Sequence, residues 1–182
     1  MSRRLAQESP QPAAAGRHDA QRAVVAVGAN LGDRADTVAR AIAELDGLPL
    51  TRLVRAADPI ETVALTLDGP DAAAPAYLNT VAVIETRLAP SVLLGYLHAV
   101  EERHGRPPRT AAQPRWQDRT LDLDLIAHGD VVCDTPTLVL PHPRAAERDF
   151  VLVPWLAVDP DAILPGRGRV DGLLAALRGS PA

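Results

Sequence analysis

The sequence predicts an α+β fold of the ferredoxin-like type, in which a split β-α-β sheet carries packed helices and two long loops cover the candidate site. The predicted elements follow the order β-α-β-β-α-β, with helices near residues 33–46 and 90–104. Two long segments between elements, 63–76 and 105–119, have the composition of loops. We expect both helices on one sheet face, which leaves the other face available for a site.

The first elements are a tail, a strand and a helix. Residues 1–22 have the composition of a disordered tail, so we expect one domain over 23–182. "AVVAVGAN", residues 23–30, is typical of a buried strand, and residues 28–32 are predicted to form a turn. Asp33 is placed to cap the helix that follows. The apolar stripe of that helix is Val38, Ala41, Ile42 and Leu45.

Apolar alternation and helical periodicity predict the remaining elements. Pro59 interrupts the second strand, and Pro90 suits the first turn of the second helix. In chain order, the predictions are a strand over 50–62, a loop over 63–76, a strand over 77–87, a helix over 90–104, a loop over 105–119, a strand over 120–129, and helices over 151–158 and 170–178.

Composition is that of an ordinary globular domain. The 182 residues are 47% hydrophobic, and a formal net charge of -4 gives no reason to expect nucleic acid or an anionic membrane as partner. The single cysteine, Cys133, excludes an internal disulfide. No apolar run approaches the roughly 20 residues of a membrane span. We expect a cytoplasmic protein that is a monomer.

All 19 residues counted as Lys or Arg are arginines. Without lysine, the chain cannot use the chemistry of P-loop NTPases, protein kinases or Schiff-base enzymes, because each needs a lysine at its site. The absence also weakens any inference from a single arginine, because arginine is the only permanently charged cation available to the chain.

Two aspartates occupy one face of the predicted strand over 120–129. Side chains alternate along a strand, so Asp122 and Asp124 project the same way, with Cα atoms roughly 6.5 to 7 Å apart. The simplest interpretation is the solvated face of an antiparallel sheet. The alternative is a metal site, because like charges repel unless they share a cation and because carboxylates hold Mg²⁺ beside substrate phosphates.

An arginine-rich stretch precedes this strand. Its arginines are Arg103, Arg106, Arg109, Arg115 and Arg119. With the aspartates they favour phosphates bridged between arginines and magnesium, while each arginine alone also fits a solvated loop. The second hypothesis is an arginine-loop nucleic-acid-binding module without catalysis, in which Trp116 stacks on a base. The neighbouring aspartates argue against it, because they would repel a nucleic-acid backbone.

Aromatic and polar residues elsewhere are further candidates. Tyr77 and Asn79 share a strand face, where they could offer a stacking surface and an amide to the edge of a heterocycle. His142 lies between two prolines in "LPHPR", which hold it in one place. Phe150, the only phenylalanine, fits the core on residue type alone. Cys133 fits buried packing better than nucleophilic chemistry.

With these residues identified, the sequence resembles the 6-hydroxymethyl-7,8-dihydropterin pyrophosphokinase family from about residue 23 to residue 165. The most specific segment is "RWQDRTLDLDLI", which is similar to the family's R-W-G-P-R-T-L-D-L-D-I signature. Further segments match in the same order: "VGANLGD", "YLNTVAVIET", "EERHGR", "LPHPR" and "RDFVLVPW". Several matches in the right order identify the chain as a member of this family.

The resemblance implies pyrophosphoryl transfer from ATP to the hydroxymethyl group of 6-hydroxymethyl-7,8-dihydropterin, leaving AMP, in folate biosynthesis. It implies two Mg²⁺ ions held by Asp122 and Asp124, with Arg106 and Arg119 contacting the phosphates during catalysis. The ATP-binding positions that it implies are Glu101, Arg106, Arg109, Trp116, Arg119, Leu125, Thr137, Val139, His142 and Arg148. The implied pterin-binding positions are Thr62, Val63, Leu65, Tyr77, Asn79, Trp116 and Phe150.

The sequence departs from the family pattern around the two predicted loops. Pro108 stands where the family has a second arginine after "GR", and Arg109 follows one place later. "TVAL", residues 62–65, replaces a segment of the "TPPL" type. A kinase of this kind must exclude water from ATP, so we expect loops 63–76 and 105–119 to close over the substrates.

Overall fold

The structure is a computed structural model that describes residues 19–66, 69–71, 75–106 and 120–179. The predicted tail lies outside the described residues up to residue 18, and so does the predicted loop from 107 to 119. Of residues 64–66 and 69–71 the backbone alone is described. None of the helices in these ranges combines the length and the apolar character that a bilayer span requires.

The described residues form four α-helices, one 3₁₀ turn and eleven strands, most of them short. In chain order the elements are β1 (Gln21–Ala29), α1 (Arg34–Asp46), β2 (Thr51–Ala56), β3 (Ile60–Thr62), β4 (Ala64–Thr66), β5 (Gly69–Asp71), β6 (Tyr77–Thr86), α2 (Pro90–Arg103), β7 (Asp122–His128), β8 (Cys133–Asp134), β9 (Val139–Leu140), a 3₁₀ turn (Ala145–Glu147), α3 (Asp149–Val158), β10 (Ile163–Leu164), β11 (Gly168–Arg169) and α4 (Val170–Gly179).

The central sheet has the spatial order β2-β6-β1-β7, and β3 continues beside β6 where β2 ends. All of its strand pairs are antiparallel. Helix α1 therefore connects two parallel strands that have β6 between them, and α2 connects two that have β1 between them. This is the split β-α-β arrangement, so the predicted ferredoxin-like α+β class is confirmed.

Helices cover both faces of this sheet, and each face has its own core. On the first face, α1 and α2 pack on side chains such as Val25, Ile84 and Leu123. On the second face, α3 and α4 pack on a group that includes Val24, Val81, Val83 and Ile126. The expectation that α1 and α2 share one face is confirmed, but the other face is only partly available, because α3 and α4 cover part of it. The segment "FVLVPWLAV" in α3 is almost wholly apolar, so its side chains must be buried, and they pack against the second face of the sheet.

Local sequence signals place the ends of the two long helices. The side chain of Asp33 accepts a hydrogen bond from the backbone N–H of Asp36 at 3.0 Å, so the predicted N-cap of α1 is confirmed. Helix α2 begins at Pro90, whose missing N–H costs nothing in a first helical turn. Helix α1 connects β1 to β2, and helix α2 connects β6 to β7, which pairs with β1.

The predicted loop over 63–76 is partly ordered as strands. Residues 64–66 pair with residues 69–71 as the small antiparallel hairpin β4–β5, which the glycine- and proline-containing composition did not predict. Arg34 of α1 holds the end of this segment, because its guanidinium donates to the carbonyl oxygen of Ala76 at 2.6 Å and contacts Glu61 at 2.8 Å. The predicted strand over 50–62 is split into β2 and β3, with the irregularity near Pro59.

Candidate active site

One end of the second sheet face forms the floor of the candidate site. Strand register pairs Asp122 of β7 with Gly28 of β1, and Gly28 with Asn79 of β6. The next row on the same face contains Asp124, Ala26 and Val81. Cross-strand partners project to the same face, so both carboxylates project from the same sheet face as the Asn79 amide, and Gly28 lies between Asp122 and Asn79. The two aspartate side chains are 24% and 22% exposed, so solutes can reach them.

Gly28 makes room for the Asn79 amide. A Cβ atom at residue 28 would lie 2.7 Å from Asn79 Oδ1, so any larger residue would displace that oxygen. On its other side, Asn79 Nδ2 donates a hydrogen bond to Thr62 Oγ1 at 2.7 Å. The amide is thus buried, with its nitrogen bonded to Thr62 and its oxygen close to Gly28. The sequence prediction of a turn from residue 28 was wrong, because Gly28 lies inside β1.

Asp122 contacts a guanidinium group that also serves a buried carboxylate. Arg106 Nη1 donates to Asp122 Oδ1 at 2.7 Å and to Glu101 Oε1. Glu101 is 1% exposed, and its Oε1 also accepts the backbone N–H of Leu123 at 2.8 Å. One arginine therefore lies between two negative charges at the edge of β7, where charge-assisted hydrogen bonds are strongest.

Asp124 has a different cation. Arg148 Nη1 donates to Asp124 Oδ2 at 2.8 Å, and His142 Nε2 lies 3.8 Å from the same oxygen. Arg148 immediately precedes α3, and His142 is fixed to β7 because its backbone N–H donates to Ile126 O at 2.8 Å. Like-charge repulsion between the two aspartates is thus offset by one arginine on each side.

His142 has a lowered pKa, and its neutral form has a defined tautomer. Burial lowers the pKa of His142 below its ordinary value, and the nearby Asp124 opposes this effect only in part. The backbone N–H of Arg144 donates to His142 Nδ1 at 3.2 Å, so the ring proton of the neutral form lies on Nε2. That proton is directed toward the side of the ring on which Asp124 lies.

Phe150 lies at the border between the site and the second core. It is half-buried and packs against the second-face cluster, while Arg148 Cζ lies 5.5 Å from the centre of its ring. The same guanidinium that contacts Asp124 is therefore in cation–π range of Phe150. The aromatic ring, the arginine and the carboxylate form one continuous group at the open end of the second face.

The donor set fits magnesium. Among the described residues, no group of three or more His, Cys, Asp or Glu side chains could enclose a metal ion. Asp122 and Asp124 instead offer two hard carboxylates on one face, and each already contacts a cationic guanidinium. Magnesium is commonly bound by one or two carboxylates, with waters and substrate phosphates as its other ligands. The site therefore suits Mg²⁺ that arrives with a phosphate ester.

Comparison with known proteins identifies the family of this site. The family model described as 7,8-dihydro-6-hydroxymethylpterin-pyrophosphokinase (HPPK) matches residues 24–160. The chain belongs to this family. The matched range contains every residue of the floor described above, together with Arg106, His142 and Arg148.

Curated relatives support the family, and a solved structure shares the fold. The 2-amino-4-hydroxy-6-hydroxymethyldihydropteridine pyrophosphokinase of Pseudomonas aeruginosa is 38% identical over 161 residues, which cover 86% of this chain and 91% of the relative. The folic acid synthesis protein fol1 of Schizosaccharomyces pombe is 32% identical over 79% of this chain, which spans 18% of that larger protein. A crystal structure of Plasmodium falciparum HPPK-DHPS has a TM-score of 0.65 at 12% identity, covering 94% of this chain and 43% of the other.

The structure brings together many of the residues predicted from HPPK resemblance. Successive contacts and strand pairs connect Thr62, Tyr77, Asn79, Glu101, Arg106, Asp122, Asp124, His142, Arg148 and Phe150. Val63, Thr137 and Val139 lie on the exposed surface. Leu125 is buried in the first-face core, so it can face a ligand only through its main chain.

Some predicted residues cannot be located. Arg109, Trp116 and Arg119 lie outside the described residues, and so does the side chain of Leu65. Conversely, sequence reasoning missed Gly28 as a floor residue. Gly28 could be recognised only from its pairing with the polar Asn79 on the neighbouring strand, and the sequence does not give that strand register.

Proposed function

We propose that this chain transfers the β,γ-pyrophosphoryl group of ATP to the hydroxymethyl oxygen of 6-hydroxymethyl-7,8-dihydropterin at the open end of the second sheet face. The class of activity follows from the family, since the chain is a pterin pyrophosphokinase of folate synthesis that uses ATP. The observation that carries the assignment of the site is the row formed by Asp122, Gly28 and Asn79. In this row a carboxylate suited to metal and phosphate and an amide suited to a heterocycle project from the same sheet face, which supports the assignment.

Asp122 and Asp124 would hold the metal, with two Mg²⁺ ions as the resemblance implies. Bound Mg²⁺ neutralises triphosphate charge and orients phosphate oxygens for in-line attack. The protein must then release Asp122 from Arg106 and Asp124 from Arg148. Both arginines would remain within reach of the phosphates, because each is anchored near the metal strand.

The nucleotide would lie on the side of the carboxylates that faces α2 and the segment around His142. Arg106 and Arg119 would contact the phosphates and bind them more strongly as charge moves toward the leaving AMP. The proposed ATP-binding residues are Arg106, Arg109, Trp116, Arg119, Leu125, Thr137, Val139, His142 and Arg148. Glu101, which the resemblance also implies, is buried behind Arg106. The catalytic residues among the proposed set are Arg106, Arg119, Asp122 and Asp124.

The pterin would lie over Asn79 and between aromatic rings. Asn79 is bonded to Thr62, and Gly28 leaves room for its amide oxygen, so the amide would be pre-oriented to recognise the polar edge of a heterocycle. Phe150 and Tyr77 would stack on the ring. The proposed pterin-binding residues are Thr62, Val63, Leu65, Tyr77, Asn79, Trp116 and Phe150.

The remaining expectations concern the whole chain. We propose that segments 63–76 and 105–119 close over the bound substrates and exclude water from ATP. We also propose that the chain works as a monomer in the cytoplasm, without nucleic acid or membrane as partner. A sedimentation measurement at micromolar concentration tests the monomer, and a dimer there would contradict it.

Product analysis tests the proposed reaction. The protein is incubated with ATP, Mg²⁺ and 6-hydroxymethyl-7,8-dihydropterin, and the nucleotide products are separated by chromatography. We expect AMP and the pterin diphosphate in equal amounts, because attack at the β-phosphorus expels AMP. Formation of ADP would indicate transfer of a single phosphoryl group, and the absence of pterin-dependent turnover would refute the proposal.

The alternative of a nucleic-acid-binding module without catalysis is not supported. The family model describes a pyrophosphokinase, and the Pseudomonas aeruginosa relative is named as one. The partly exposed aspartates beside Arg106 and Arg148 also favour a site for metal-bound phosphates over one for a nucleic-acid backbone.

A further inference from the structure

Glu101 is a charged group in a place where charge is costly. It lies in the last turn of α2 and is 1% exposed. Burial of a carboxylate without partners costs several kcal/mol, and Glu101 is compensated by the backbone N–H of Leu123 and by the Arg106 guanidinium. A buried carboxylate with these two partners points to a role that an apolar residue could not fill.

The hydrogen bond to Leu123 acts on the strand that carries both metal carboxylates. Leu123 lies between Asp122 and Asp124, and β7 is an edge strand with β1 as its neighbour in the sheet. The N–H of Leu123 points away from β1, and Glu101 Oε1 accepts it at 2.8 Å. The carboxylate therefore connects the end of α2 to the middle of the Asp122–Asp124 segment.

Arg106 is shared unequally between its two carboxylates. Glu101 is 1% exposed, whereas the Asp122 side chain is 24% exposed, and both accept from Arg106 Nη1. A cation that binds Asp122 from solution would displace Arg106 from the exposed carboxylate. It would leave the contact with Glu101 intact, because that carboxylate is shielded from solvent.

We infer that Glu101 is a positioning residue: it acts on the nucleotide side through Arg106 and β7 and does not touch ATP. The buried carboxylate retains Arg106 beside the metal site when Asp122 exchanges the guanidinium for metal. Arg106 is then already in place for the phosphates. The inference rests on the proposed function for its kinetic consequences, while its structural basis is independent of turnover.

A double-mutant cycle tests this role in the full-length protein. Glu101→Gln keeps a hydrogen-bond acceptor for Leu123 but removes the charge that retains Arg106. We expect kcat to fall about tenfold, equivalent to about 1.4 kcal/mol of activation free energy, with KM for ATP within about twofold of wild type. We expect the Glu101→Gln/Arg106→Ala double variant to be no slower than Arg106→Ala, because Glu101 acts through Arg106.

The free protein gives a second readout that does not require turnover. Arg106→Ala leaves the buried Glu101 carboxylate without its cation, so its melting temperature should fall below that of wild type. Glu101→Gln in the Arg106→Ala background should recover most of this loss. The affinity for α,β-methylene ATP with Mg²⁺, measured by calorimetry, should be unchanged within about twofold in Glu101→Gln. Glu102→Gln, an exposed neighbour on the same helix, is the matched control and should leave all three quantities unchanged.

Three outcomes would overturn the inference. Loss of analogue affinity in Glu101→Gln would mean that Glu101 contacts the nucleotide itself. Independent, multiplying losses in kcat would mean that Glu101 does not act through Arg106. A lower melting temperature with unchanged kcat would reduce Glu101 to a structural residue. If the wild-type protein shows no pterin-dependent turnover, the proposed function fails, while the stability cycle and analogue binding still decide whether Glu101 retains Arg106.

Discussion

At the scale of single residues, the charges of the site are compensated in pairs. Asp122 contacts Arg106, and Asp124 contacts Arg148. From the sequence, these aspartates are two like charges on one strand face, so their neutralisation should leave the protein as stable or slightly more stable. In the structure the repulsion between the two aspartates is already offset, because each carboxylate contacts an arginine. Neutralising an aspartate would remove one ionic partner from Arg106 or from Arg148.

Asp122→Asn and Asp124→Asn should each lower turnover by at least about a hundredfold, the scale of one electrostatic group at a reacting centre. The free energy of unfolding without Mg²⁺ should fall by no more than about 1 kcal/mol, because these ion pairs are partly exposed. Turnover at saturating substrate and urea unfolding check the two parts. Near-wild-type activity of either variant at low millimolar Mg²⁺ would show that the substituted aspartate is not a metal ligand.

The Phe150→Ala variant should show whether Phe150 binds the pterin or only packs in the core. Because Phe150 is half-buried, we expect pterin affinity to weaken by about 1 to 3 kcal/mol, the value of one stacking partner. The stability loss should stay below the roughly 3 to 5 kcal/mol of a fully buried phenylalanine. Calorimetry with α,β-methylene ATP and the melting temperature measure the two effects. Leu156→Ala, on the same helix and the same core cluster, is the control that should affect stability alone. Unchanged pterin affinity in Phe150→Ala would assign Phe150 to the core.

At the scale of elements, the floor depends on how three strands align. Gly28, Asn79 and Asp122 are about 50 and 40 residues apart in the chain, and the antiparallel register of β6, β1 and β7 makes them neighbours. A slip of one residue in either pair would turn the side chains of one strand to the opposite face. The apolar core on each face prevents such a slip, because the slip would expose a row of apolar side chains and bury polar ones.

Gly28→Ala should disturb the floor without disturbing the fold. The new Cβ would lie 2.7 Å from Asn79 Oδ1, which is the far end of a side chain, so the amide should turn away and lose its bond to Thr62. We expect pterin affinity to fall about tenfold, or about 1.4 kcal/mol. The melting temperature should change little. Calorimetric titration with the pterin and a thermal melt provide the measurements.

Gly95→Ala is the control for this substitution. Gly95 lies on the exposed side of α2 with open space around its Cα, so alanine should stabilise the helix by about 0.5 to 1 kcal/mol. Its pterin affinity should equal that of the wild type. If Gly28→Ala binds the pterin as the wild type does, the orientation of Asn79 does not govern recognition.

At the scale of the whole molecule, a polar cluster joins the two helices that cover the first face. Glu44 of α1 accepts hydrogen bonds from Arg103 of α2, at 3.0 and 2.6 Å, and lies 2.7 Å from His104 Nε2. Burial by itself would raise the pKa of Glu44, but the hydrogen bonds from Arg103 and His104 outweigh it. The pKa of Glu44 therefore lies below its ordinary value of 4.5.

The sign of this shift predicts a pH dependence of stability. A carboxyl whose pKa is lower in the folded state stabilises the fold above its unfolded pKa, and this contribution is lost as pH falls through the folded pKa. Glu44→Gln should therefore reduce the free energy of unfolding at pH 7 by about 1 kcal/mol, since Glu44 is partly exposed. The difference from wild type should shrink below pH 4.5. Urea unfolding at several pH values measures it, with Glu102→Gln as control, and a difference independent of pH would contradict the role of the carboxylate.

Local sequence patterns were sufficient to predict features that depend on interactions between residues close together in the chain. The N-cap at Asp33 and the start of α2 at Pro90 were predicted, because capping and proline geometry act within one helical turn. The hairpin β4–β5 was not predicted, since its composition is that of a loop and its pairing is specific to the fold. The cover of the second face by α3 and α4 was also missed, because periodicity shows that a helix is apolar but not which surface it covers.

The order of elements and the pattern of apolar residues sufficed for the fold class, and two aspartates two positions apart on a strand sufficed to suggest a metal site. Residue type and spacing carry that information because strand alternation is a property of the backbone itself. The partners of those aspartates came from elsewhere in the chain: Arg106 after α2, and Arg148 before α3. Their pairing, the burial of Glu101 and the space above Gly28 depend on strand register and on helices packed from distant segments. Long-range packing brings these groups within hydrogen-bonding distance, and no local pattern specifies that proximity.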